Sequence, residues 1–164
     1  MNSTHAESED IARLIFSAIP EIFGLRFHHA SGVTHFVSDR CVLRFGWERY
    51  EAKLTSTQFL DPSQADANGG MSFWILQLVL GFKLSVRDDA DPHYELGMSI
   101  ANHCDALLRG DFAIRPRYDS LEKRILDRID EVNALPNNSE IRLLYDACDI
   151  KWLAAIESGD YVSG

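Results

Sequence analysis

The sequence predicts an α+β fold. The expected architecture is an antiparallel β-meander of about four strands, with helices packed on one face and a helical C-terminal half. Three observations carry this expectation. The apolar period is helical over residues 8–19, turns to alternation over residues 23–59, and returns to helical spacing from residue 71 onward. The strands fall in one block instead of alternating with helices, which argues against βαβ units. Short turn signals separate them, and short connections join antiparallel neighbours.

The leading helix is read over residues 8–19. Ile11, Leu14, Ile15, Ala18 and Ile19 share a face, Ser8 is the expected cap, and Pro20 stops the helix. Phe23, Leu25 and Phe27 then alternate with Gly24, Arg26 and His28. Ser31-Gly32 turns the chain into a strand near Val33–Ser38, and Asp39-Arg40 turns it again. The stretch CVLRFGWERYEAKL, residues 41–54, reads as a hairpin of its own. A loop at Gly46, Trp47, Glu48 and Arg49 would oppose Phe45 to Tyr50, Leu43 to Ala52 and Cys41 to Leu54 on the core side. Arg44 would then meet Glu51, and Val42 would meet Lys53, on the other side.

Residues 61–70 are a loop of turn formers. Residues 71–82, MSFWILQLVLGF, read as a buried helix, with KLSV at the tail as either its end or a further strand. Asp91-Pro92 opens a helix carrying Leu96, Ile100, His103, Cys104 and Leu107 on one face, closed by Gly110. Residues 111–118 contain Pro116 and read as irregular. Asp119 is the expected cap of a helix that turns Leu121, Ile125, Ile129 and Val132 inward. Ser139 caps a last helix running to Gly159. The whole chain, residues 1–164, reads as a single domain with loose ends at 1–7 and 160–164.

Charge narrows the function classes. There are 25 acidic and 16 basic residues, a formal net charge of −9. Phosphate backbones are repelled by such a chain, so no nucleic-acid partner is expected, whereas a basic protein surface would be attracted. No secretory signal is visible, and the longest apolar run falls short of the roughly 20 residues a membrane span needs. No membrane partner is expected. Three scattered cysteines without a CxxC pair suit free thiols in the cytoplasm.

Catalytic patterns are missing. Adjacent His28 and His29 point to opposite faces of a strand, so only one can join His35, too few ligands for zinc. His103 and Cys104 are about 100° apart on a helix and cannot act as a base–nucleophile pair. Asn68-Gly69-Gly70 lacks the lysine of a phosphate loop. No cofactor, metal or catalytic residue is expected, and the chain is read as not an enzyme. What stands out is the tip of the hairpin. Trp, Tyr and Arg dominate binding hot spots. Arg44, Trp47, Glu48, Arg49 and Glu51 are therefore the candidate partner-binding residues.

The stretches FHHASGVTHFVSDRCVLRFGWERYEAKL and ANHCDALLRGDF, within residues 9–132, resemble small uncharacterised bacterial α+β proteins. Among these are immunity proteins of polymorphic-toxin and contact-dependent-inhibition systems. The resemblance implies a bacterial, cytoplasmic, non-enzymatic protein that neutralises a basic toxin by occlusion. The alternative is a structural or homo-oligomerisation module.

Overall fold

The computed structural model describes residues 2–30, 32–48, 50–64, 69–84 and 88–159. The chain groups into two compact units. The first comprises Met1–Phe73 and Leu84–Ala113, and the second Trp74–Lys83 and Ile114–Gly164. The expected loose end at 160–164, as well as Ser31 and Arg49, lies outside the described residues.

The first unit is built on an antiparallel sheet whose strand order follows the chain: β1 (Arg26–Ala30), β2 (Val33–Val37), β3 (Val42–Trp47), β4 (Leu54–Leu60) and β5 (Met71–Ser72). The meander is thus as expected, with one short strand more. Alternation sends Phe27, Phe36, Leu43, Phe45, Phe59 and Met71 to one face. All but half-buried Phe27 are at most 1% exposed. Helix α1 (Asn2–Ser17) lies on that face and presents Ala12, Ile15 and Phe16 to it. The Phe16 ring meets Phe27 and Phe36 nearly edge-on, with centroids 5.7 and 5.0 Å away, an arrangement that aligns ring edges with ring faces. Each buried phenylalanine contributes about 1.5–3 kcal/mol.

Helix α1 begins well before the expected cap. Ser8 sits inside it and is only 3% exposed, so it is not an N-cap. Pro20 does end the helical run, and a short 3-10 turn, Glu21–Phe23, occupies the start of the expected first strand. Helix α3 (Pro92–His103) packs across α1. Asp91 caps it by accepting from the His93 and Tyr94 amides at 2.8 and 3.3 Å. Gly97 makes that crossing close: a Cβ there would lie 2.7 Å from Ala18 Cβ and would collide with the Ile15 carbonyl. The expected helix to Gly110 is interrupted at Cys104 and resumes as the short α4 (Asp105–Leu108), with Gly110 at φ 89° closing it.

The hairpin register of residues 41–54 is corrected. Phe45 opposes Thr57, Leu43 opposes Phe59, Arg44 opposes Gln58 and Val42 opposes Leu60. Strand β4 therefore starts at Leu54, where the expected strand ended. Tyr50, expected in the core, is 78% exposed. The physical reason is Phe59, which is 1% exposed in the observed register. Burying that ring outweighs burying the small Ala52 side chain in its place.

The second unit gathers most of α2 (Phe73–Leu80) with α5 (Arg115–Asn133), α6 (Glu140–Asp146) and α7 (Lys151–Ser158). Residues 71–82 are thus not one helix, since their first two residues form β5. Lys83 and Leu84 of the KLSV tail form no strand, and its last two residues lie outside the described ones. Helix α5 starts four residues before the expected cap. Pro116 fits its first turn, where the missing N–H costs nothing, and Asp119 accepts from Arg115 Nε at 2.8 Å from within the helix. Leu121, Ile125 and Val132 are buried as expected. Ser139 caps α6 through the Arg142 amide. The expected last helix is broken at Cys148, whose φ of 56° is left-handed, so α7 restarts beyond it. Rings of Trp74, Tyr145 and Trp152 stack edge to face, 5.7 and 5.2 Å apart.

Candidate functional site

Of the expected binding residues, Trp47, Glu48 and Glu51 lie at one end of the first unit. Alternation carries Trp47 to the same inner face as Leu43 and Phe45, and a register shift between Gly46 and Trp47 ends the regular pairing of β3 there. Its indole N–H donates to Thr34 Oγ1 at 2.9 Å, so Trp47 is half-buried and serves the fold. The loop after it closes where the Glu48 amide donates to the Lys53 carbonyl at 2.8 Å. Glu48, Tyr50 and Glu51 project from this loop, exposed. Arg44 is apart from them, exposed on the outer face of the sheet, and its cross-strand neighbours are His35 and Gln58, not Glu51.

Between this loop and the first half of α1 lies an open cleft of about 510 Å³. Glu7, Asp10 and Ile11 line it from the helix, and Glu51, Ala52 and Lys53 from the loop. Three carboxylates against one ammonium leave the cleft at −2. Among the described residues Glu7, Asp10 and Glu51 make no ion pair, whereas Glu9, on the next position of α1, is held by Arg13 at 2.8 Å. Glu7, Asp10 and Ile11 follow helical spacing and so share a stripe beside the buried face of Ser8, Ala12 and Ile15. Sequence reasoning missed Glu7 and Lys53. A helix begun at Ser8 hides Glu7, and a strand through Ala52 assigns Lys53 to a cross-strand pair.

The opposite side of the sheet has a different character. No strand contains Asp or Glu. The pairings align His28, His35, Arg44, Gln58 and Ser72 in one row across all five strands. Burial, and then the Arg44 guanidinium and His28, hold the His35 imidazole below its ordinary range. His29 points the other way, with Nδ1 2.7 Å from Thr34 Oγ1.

The thiols are spread through both units. Burial pushes Cys41 and Cys104 up to about 12. Cys148 is half-buried and also raised by burial. No group of three His, Cys, Asp or Glu side chains is placed to hold a metal ion among the described residues. No helix among the described residues is long and apolar enough to cross a membrane.

No protein-family model, curated protein or solved structure matches the chain.

Proposed function

We propose that this chain is a non-enzymatic protein-binding domain that captures a basic protein partner, such as a toxin, at the α1 cleft and the loop beside it. The carrying observation is the juxtaposition of Glu7, Asp10 and Glu51, which make no ion pair among the described residues and outnumber the one lysine, Lys53, that lines the cleft with them, with exposed Tyr50. A lysine or arginine entering the cleft gains charge-assisted hydrogen bonds, and Tyr50 supplies a large, stiff contact surface at the rim. The net charge of −9 steers such a partner toward the chain and speeds its approach at low salt. Occlusion of a toxin's own site would follow from the size of the contact and needs no reaction. The resemblance to immunity proteins points the same way.

Affinity capture from the source cells tests this. A basic protein should be recovered, should be released by raised salt, and should be lost with the double substitution Asp10→Lys and Glu51→Lys. A captured partner that is insensitive to salt and to both substitutions overturns the reading.

Self-association is the second reading. It draws on Leu126 and Leu143 of the second unit, which are 62% and 56% exposed. Sedimentation of the purified chain separates the two: a stable homo-oligomer dispersed by Leu126→Lys favours this one.

A further inference from the structure

The outer face of the sheet has a chemistry that the acidic cleft does not explain. Its central row, His28–His35–Arg44–Gln58–Ser72, runs roughly 19 Å at the usual strand spacing. Alternation places Arg26, Val37, Val42 and Leu60 in the row beside it. On the other flank stand Ala30, Val33, Gly46 and Ser56, all small or slim. At Gly46 a Cβ would press on Ser56 Oγ at about 2.5 Å, so that flank is low. Arg26, His28 and Arg44 are exposed, and Val37, Val42 and Leu60 are half-buried. A chain with 25 carboxylates thus presents one face with none on its strands, where cationic donors run parallel to an apolar stripe.

We infer that this face docks an acidic protein segment with interspersed apolar side chains. Carboxylates would pair with Arg44, His28 and His35, while apolar side chains would cover Val37, Val42 and Leu60. Arg44 offers the forked donor geometry that carboxylates match. Charge complementarity selects the occupant. A second copy laid face to face would set arginine against arginine. A nucleic acid is disfavoured because the Phe and Trp rings of β1–β4 point inward and the bulk charge of −9 repels phosphates. An acidic segment satisfies both rows at once.

The row also makes docking depend on pH. His35 faces His28 on β1 and Arg44 on β3, and both disfavour its protonation. A carboxylate brought against it reverses that balance, so binding takes up protons and strengthens as pH falls.

The test is a titration of the full chain into a fluorescent synthetic peptide rich in Glu and Leu, at low salt, at about pH 7.5 and about pH 6. Saturable binding is expected, several-fold tighter at the lower pH. Arg44→Glu should weaken it about tenfold or more, as removal of a charge-assisted pair does. His28→Gln with His35→Gln should flatten the pH dependence. Far-UV circular dichroism confirms that each variant is folded. Absence of peptide binding overturns the inference. So does unchanged affinity in Arg44→Glu, or equal affinity for a single-stranded oligonucleotide of matched charge.

Discussion

Thr34 Oγ1 serves two side chains at once: it accepts from the Trp47 indole at 2.9 Å and lies 2.7 Å from His29 Nδ1. Thr34 is fully buried, so no solvent can replace it. Thr34→Val keeps the shape and removes the hydroxyl, leaving two part-buried polar groups without this partner. A loss of about 1–3 kcal/mol is expected in denaturant melts, with Thr34→Ser losing less. Trp47→Ala should also destabilise, by about 2–4 kcal/mol, because the indole covers the end of the core. Unchanged stability in both variants would return Trp47 to the list of free binding residues.

Gly97→Ala should destabilise although alanine is the better helix former. The propensity gain is about 1 kcal/mol. Against it stands a methyl driven into the Ile15 carbonyl and the Ala18 side chain, which forces α1 and α3 apart. Overpacking of this kind costs about 1–3 kcal/mol, so the net change is a loss. A lowered melting temperature checks the sign, and Ala18→Gly in the same chain should recover part of the loss.

Trp152 is fully buried and its indole N–H has no hydrogen-bond partner among the described residues. Trp152→Phe removes that unpaired donor while keeping most of the apolar volume. It should cost far less than Trp152→Ala, for which about 3–5 kcal/mol is expected. Urea melts of the two variants side by side give the comparison.

Thiol reactivity should divide by burial. At about pH 8, an alkylating reagent should modify Cys148 in the native protein before Cys41 or Cys104, because the thiolate is the reacting form. The latter two are held protonated up to about 12, whereas the unfolded chain releases those protons near 9.0. Their contribution to stability is therefore whole below pH 9 and declines as pH rises from 9 toward 12. Mass spectrometry of labelled peptides, with and without denaturant, reads the first effect, and melts in alkaline buffers read the second.

The meander, the inward Leu43 and Phe45, and the Asp91 and Ser139 caps were all legible from period and capping chemistry. The partner of β3 was not. CVLRFGWERYEAKL alternates well enough to close on itself, while the true partner, LTSTQFL, has the small polar residues of a loop. Only the competition between burying Phe59 and burying Ala52 separates the two registers, and that is a tertiary quantity. Pro116 misled in the opposite direction, since a proline that breaks a helix interior also suits a first turn. The candidate site was half legible. Glu48 stood out as a loop-tip charge and Glu51 as a charge on the strand beside it, but Glu7 and Asp10 reach them only through the packing of α1 on the sheet.

The sheet without carboxylates also shapes how the protein behaves on a column. Its isoelectric point is about 5.0, so at neutral pH a cation exchanger should let it pass. A resin sees only the patch it touches, however. At about pH 6, above the isoelectric point, the face that carries Arg26 and Arg44 should retard the chain on sulfonate beads while it still has a net negative charge. Arg44→Gln should abolish that retardation while shifting elution from an anion exchanger only slightly.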